Sequence, residues 1–155
     1  MHVHLIAVGT RMPAWVEAGF DDYRKRLPRE WRLQLHEIPL RRRGKAGETT
    51  RLIETEGAQM LSACPQGAHL VALDNRGQQW STEALAQRLA DWQQAGRDLA
   101  FLIGGPEGLA PACRQQAETC WSLSKLTFPH PLVRIIVVEQ LYRAWSLLRG
   151  HPYHR

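Results

Sequence analysis

Cysteine is scarce in this sequence: its 155 residues include three, Cys64, Cys113 and Cys120, and no two form a C-x-x-C pair. An odd number without that spacing argues against a disulfide framework and against a cysteine-based zinc site. Long hydrophobic runs are missing too. The most apolar stretch, Ile135 to Val138, is enclosed by Arg134 and Glu139, so nothing is expected to span a bilayer. Near the start, Leu5 to Val8 is too short for the apolar core of a signal peptide, and a Gly-Thr pair follows it. The expectation is a soluble, cytoplasmic protein. Seven histidines include no H-x-x-x-H pair and no H-E-x-x-H motif, which disfavours a metal site. No serine or cysteine lies in a recognisable nucleophile elbow, and Ser146 and Cys113 read most simply as packing residues.

What is present is ordinary for a globular chain. It is 44% hydrophobic and 23% charged, which excludes disorder and fibrous architectures. The length suits one domain over 1–155 and needs no covalent staple. There is no internal repeat, low-complexity segment or linker. Twenty Lys and Arg against fifteen Asp and Glu give +5, which permits a polyanionic partner without proving one.

Short apolar runs alternate with helical patterns. Val3 to Val8 reads as a buried strand ended by Gly9. Pro13 opens a helix carrying Trp15, Val16, Phe20, Tyr23 and Leu27, and Pro28 stops it. Trp31 to Ile38 alternates as a half-exposed strand does. Arg41, Arg42, Arg43, Gly44 and Lys45 form a basic loop before a helix over Thr50 to Ala63, with Leu52, Ile53, Met60 and Leu61 inward. His69 to Leu73 is a strand, and Asp74 to Gly77 a turn at its carboxyl end. Ser81 or Thr82 caps a helix that stops at Gly96. Leu99 to Ile103 is a strand, Pro111 opens a helix, Trp121 to Phe128 holds one or two extended pieces, and a long apolar helix covers about Leu132 to Leu148. The pattern predicts an α/β sheet with helices on both faces.

Two segments stand out for chemistry. The strand Leu99 to Ile103 runs straight into Gly104-Gly105-Pro106-Glu107-Gly108. Ligands of open α/β sheets bind outside the carboxyl ends of strands, and glycines there admit close backbone approach, although a tight turn alone would also use them. The spacing is neither G-x-G-x-x-G nor a P-loop. The second segment, Leu123 to Pro131, is stiffened by two prolines around His130, so its amides and carbonyls need partners that a ligand or an ordinary loop could provide. Arg41 to Arg43 with Lys45, then Arg134, Arg143, Arg149 and Arg155, are either solvated cations or phosphate contacts. The tail gathers His151, Tyr153, His154 and Arg155, a mixture able to stack on a base and bridge a phosphate. Glu107 and Glu139 are isolated carboxylates with a structural reading as good as a functional one.

Together these segments resemble the RlmH (YbeA) family of ribosomal RNA large subunit methyltransferases, in the SPOUT superfamily. The resemblance runs from VGT (Val8 to Thr10) to HPYHR. It includes RMPAWV, RRRGK, Leu73-Asp74, LIGGPEGL (Leu102 to Leu109), WSLS (Trp121 to Ser124), PHPLVR (Pro129 to Arg134) and LYRAWS (Leu141 to Ser146). It implies a parallel sheet with a C-terminal trefoil knot, a homodimer, and an S-adenosylmethionine site made by Leu73, Gly104 and the loop Leu123, Ser124, Lys125, Leu126, Thr127 and Phe128. The implied reaction is methylation of N3 of pseudouridine 1915 in helix 69 of 23S rRNA on the assembled 70S ribosome, without metal. His154 or Tyr153 is expected to reach the base and Arg143 or Arg155 the phosphate, the tail completing the partner subunit's site. The chain departs from the family pattern in a basic run denser in arginine and in the charge of Lys125. Alternatives are a SPOUT methyltransferase with another RNA target, and a non-catalytic RNA-binding module. A nucleotide-binding oxidoreductase is disfavoured by the missing glycine fingerprint.

Overall fold

The computed structural model describes residues 1–41, 44 and 48–154, apart from the side chain of His154. Among the described residues five strands form one sheet in the order β2-β1-β4-β3-β5. They are β1 (Val3–Val8), β2 (Gln34–Ile38), β3 (His69–Gln79), β4 (Leu99–Ile103) and β5 (Thr119–Ser122). All four pairings are parallel. The helices between them are α1 (Ala14–Arg24), α2 (Glu48–Ala63), α3 (Thr82–Ala95), α4 (Pro111–Gln116) and α5 (His130–Leu148).

Side-chain alternation decides which helix covers which face. Val3, Leu5 and Ala7 of β1 point into a core with Phe20 of α1, Leu85 and Leu89 of α3, and Val137 and Leu141 of α5. Ile6 and Val8 point the other way, against Met60 of α2 and Cys113 of α4. Both faces of the sheet are therefore covered, which is why β4 is apolar throughout, β1 is apolar but for His4, and both are buried at every position. The α/β architecture expected from the sequence is the one observed.

Local signals set the boundaries. Ser81 accepts a hydrogen bond from the amide of Ala84 at 3.0 Å and so caps α3, while Gly96 ends it at φ 73°. Pro111 occupies the first turn of α4. The second strand is shorter than its alternating pattern suggests. Arg29–Trp31 form a 3-10 turn after Pro28, Arg32 is left-handed at φ 45°, and pairing begins only at Gln34. Trp31 is buried as expected, but from a turn. In α2 the buried residues are Glu56, Gly57 and Met60, and Leu52, Ile53 and Leu61 are only half-buried.

β3 also departs from expectation. Leu73 and Gln78 both pair with Trp121, so residues 74–77, expected as a turn, instead bulge out of the ladder with β5 within one strand. Gly77 fits there because a Cβ would lie 2.6 Å from the backbone of Cys120 and Trp121. Among the described residues no helix is long and apolar enough to cross a membrane, and the three cysteines are free.

Candidate active site

The carboxyl ends of β3, β4 and β5 open into one cleft of about 800 Å³. That is within the range of small-molecule and cofactor sites, at the position where open α/β sheets bind ligands. Its apolar walls are Leu73, Ile103, Leu109, Trp121, Leu123, Leu126, Phe128 and Val133. Of the residues expected from the sequence to line a cofactor site, Leu73, Gly104, Leu123, Ser124, Leu126, Thr127 and Phe128 all do so, and Lys125 does not.

The glycine loop is shaped first by its own backbone. A Cβ on Gly104 would meet the carbonyl carbon of Gly108 at 2.5 Å and the amide of Leu109 at 2.7 Å. Gly108 has φ 87°, and its amide donates to the carbonyl of Gly105 at 2.9 Å. These demands explain the glycines as a turn, so the glycines alone do not identify a ligand site; the cleft wall they build is the functional signal.

The loop after β5 has spare hydrogen-bonding capacity. The Ser122 hydroxyl donates to the Ser124 carbonyl at 3.1 Å, and the Leu126 amide donates to Ser124 Oγ at 3.0 Å. The amides of Lys125, Thr127 and Phe128 donate to no acceptor among the described residues. Leu126 is 70% exposed, an apolar side chain at the cleft with little covering it. Unpaired donors beside uncovered apolar surface match a ligand with a flat apolar body and polar edges.

Charged groups frame the mouth. Asp74 accepts from the Arg76 amide at 2.8 Å and Nε at 3.2 Å, and faces Arg114 at 3.8 Å. Deeper in, His130 lines the cleft, and the ring of His130 sits so close to Gly9 that a Cβ there would lie 3.1 Å from Cε1. Burial, and then the neighbouring Arg134, push the His130 imidazole below its ordinary value and favour the neutral ring. Arg134 is 1% exposed. It donates to Glu37 at 2.7 Å and to the Gly9 carbonyl at 2.6 Å, locking α5 to the ends of β1 and β2.

Two of the expected catalytic residues lie outside the cleft. Arg143 and Tyr153 do not line the cleft. Both bond Glu139: the Tyr153 hydroxyl donates to Oε1 at 3.1 Å, and Arg143 Nη2 lies 2.6 Å from the same oxygen. Glu139 is about 9 Å further along the α5 axis than Val133 at the cleft. Burial, then Glu139, push the Tyr153 phenol up to about 12, so it remains a donor. The side chain of His154, Arg155, and Arg42, Arg43 and Lys45 of the basic loop lie outside the described residues. Glu139 had two readings in the sequence, and the structure makes it the anchor of the tail. Asp74 and His130 carry no motif of their own as cleft residues; the signal available was their place beside strand and helix ends. No group of His, Cys, Asp or Glu among the described residues is arranged to hold a metal ion.

The family model described as "Predicted SPOUT methyltransferase" matches residues 1–154. The chain is 61% identical over 155 residues to the ribosomal RNA large subunit methyltransferase H of Thioalkalivibrio sulfidiphilus, covering 100% of this chain and 99% of that protein. Two solved structures share the fold at low identity. A "probable methylase family protein" of Haemophilus influenzae has a TM-score of 0.57 and 8% identity, over 99% of this chain and 70% of that one. The ribosomal RNA small subunit methyltransferase E of Neisseria gonorrhoeae, bound to S-adenosyl methionine, has a TM-score of 0.53 and 11% identity, over 94% of this chain and 67% of that one.

Proposed function

The chain belongs to the SPOUT methyltransferase family, and from that premise we propose that it methylates ribosomal RNA of the large subunit with S-adenosylmethionine. The observation that carries this reading is the cleft beyond β3, β4 and β5, where apolar walls meet the unpaired amides of Thr127 and Phe128. In the proposed site Leu73, Leu123, Leu126 and Phe128 enclose an adenine ring. The backbone of Gly104, Ser124, Lys125 and Thr127 reads its edge and the ribose. The bound cofactor supplies an electrophilic methyl group on a sulfonium centre, so the chemistry needs no metal.

The finer target is N3 of pseudouridine 1915 in helix 69 of 23S rRNA, on the assembled 70S ribosome. The chain must align N3 with the methyl donor, and positioning of that kind is a large part of the barrier for group transfer. In the transfer the N3–CH3 bond would form as the S–CH3 bond breaks, the electron pair staying on sulfur as S-adenosylhomocysteine leaves, and the N3 proton would pass to the tail, where His154 or Tyr153 is proposed to reach the base. Arg143 or Arg155 holds phosphate. Because Arg143 and Tyr153 sit away from their own cleft, the reading includes a homodimer in which each tail completes the partner subunit's site. A single cytoplasmic domain over 1–155, with the C-terminal segment threaded as a trefoil knot, completes the proposal.

The test is titration of S-adenosylmethionine into the protein by calorimetry, followed by transfer of labelled methyl to 70S ribosomes, 50S subunits and naked rRNA lacking the modification. Saturable cofactor binding with label in helix 69 only on 70S supports the full reading. Binding with label at another nucleotide replaces the target. RNA binding without cofactor binding leaves a non-catalytic RNA-binding module.

A further inference from the structure

The end of α1 and the turn after it carry five cations in nine residues: Arg24, Lys25, Arg26, Arg29 and Arg32, all exposed. Three carboxylates lie among or beside them. Asp21 pairs with Arg24 at 3.0 Å and Asp22 with Arg26 at 3.1 Å, and Glu30 is exposed in the turn. Lys25, Arg29 and Arg32 have no ion pair among the described residues. A cation at a helix C-terminus is explained by the helix dipole, which accounts for Arg24 and Lys25. It does not account for Arg29 and Arg32.

Arg32 is the more telling residue. Among the described residues only Arg11 and Arg32 combine a side chain with positive φ, at 55° and 45°. That region crowds Cβ and is normally left to glycine, asparagine or aspartate. Glycine at this turn would relieve the crowding, so the arginine sits there against the local preference. An outlier of that kind points to a use for the side chain.

The patch also reaches the tail. The Arg26 guanidinium sits over the rings of Tyr23, Tyr142 and Tyr153, with centroids at 5.3, 6.0 and 5.8 Å. Arg143 lies over the Tyr153 ring at 5.0 Å. Arg26, in the middle of the basic segment, thus touches a residue proposed to meet the substrate base, Tyr153. Exposed cations beside the half-buried Tyr153 ring suit contact with a nucleic-acid backbone.

We propose that Lys25, Arg29 and Arg32 form a phosphate-binding surface for RNA, which guides the substrate strand along the α1 turn toward the tail. The proposal rests on the RNA-methylation reading and names the surface that would hold that RNA outside the cleft. Contact here is with backbone, so it is independent of sequence and sensitive to salt.

The experiment compares the full-length protein with two variants, Lys25→Gln/Arg29→Gln/Arg32→Gln and Arg32→Gly. The probe is a short RNA hairpin, with binding measured across a salt series alongside Tm and calorimetric S-adenosylmethionine binding. The triple variant is expected to bind the hairpin at least about tenfold more weakly at low salt, with the slope of log K against log salt smaller by about 2 to 3. Arg32→Gly is expected to weaken hairpin binding while its Tm stays level or rises. Both should keep cofactor binding. Unchanged hairpin affinity and salt slope in a folded triple variant would overturn the proposal. Loss of affinity in the variants with no methyl transfer by the unaltered protein would keep this surface and remove the methylation reading. Normal methyl transfer by the unaltered protein with unchanged affinity in the variants would do the reverse.

Discussion

The Tyr153 hydroxyl donates to Oε1 of Glu139 at 3.1 Å, tying the tail back onto the helix it follows. The same carboxylate receives Arg143 Nε at 2.9 Å and, through its other oxygen, Gln140 Nε2 at 2.8 Å. One acid in an otherwise apolar stretch of α5 therefore fixes two of the residues proposed to act on the substrate, Arg143 and Tyr153.

Glu139→Ala removes the acceptor shared by these donors. The expected cost is about 1–2 kcal/mol of stability, because Arg143 and Tyr153 can still find water. The tail should loosen, so trypsin should cut after Arg149 faster than in the unaltered protein. Methyl transfer should fall much further than cofactor affinity. Unchanged proteolysis would show that the tail is held by its ring contacts instead.

Gly104→Ala places a methyl group against backbone that cannot turn aside, 2.5 Å from the carbonyl carbon of Gly108. Shifting the loop should destabilise the fold by about 1–3 kcal/mol, the usual range for overpacking. It should also weaken S-adenosylmethionine binding measured by calorimetry. A variant with normal stability and affinity would mean that the loop gives freely and is not a fixed wall.

Removing Glu37 should be worse than removing Arg134. Glu37→Ala leaves a guanidinium that is 1% exposed without its counter-charge, whereas Arg134→Met replaces the charge with apolar volume. About 2–4 kcal/mol is expected for the first, below the full penalty for a buried pair because the Glu37 side chain is 35% exposed. Urea unfolding of both variants checks the order. A larger loss for Arg134→Met would show that the bonds to the Val8 and Gly9 carbonyls outweigh the charge.

Acid should weaken the fold before any carboxylate titrates. His4 is held below its ordinary value of 6.5 by burial and by His36 and His2, with Asp98 opposing. His69 and His130 shift the same way, again chiefly through burial. A lowered histidine binds fewer protons folded than unfolded, so stability is complete above about pH 6.5 and declines as pH falls toward the folded value. Tm should drop between about pH 7.5 and about pH 5.5. His4→Gln should flatten part of that drop, and an equal drop in the variant would assign it to other groups.

The sequence exposed most of what local chemistry controls. Strands β1 and β4, the Ser81 cap, the Gly96 stop and Pro111 at a helix start are all nearest-neighbour effects, and all are where the pattern put them. The cleft was legible because its two long motifs each follow a strand. The 3-10 turn at Arg29–Trp31 was hidden because Trp31, Leu33 and Leu35 alternate whether or not the first belongs to the strand. The rejoining of β3 at Gln78 depends on β5, which is distant in sequence. The Arg134–Glu37 pair spans 97 positions, and no periodicity reveals a partner that far away. The anchoring of the tail by Glu139 needed the chain to fold back on itself.

The most direct measurement is mapping of labelled methyl after incubation of the protein and S-adenosylmethionine with 70S ribosomes lacking the modification. The account predicts label on one pseudouridine of helix 69, at N3, with little on 50S subunits or naked rRNA. Saturable cofactor binding with no label in any of the three RNAs would contradict it.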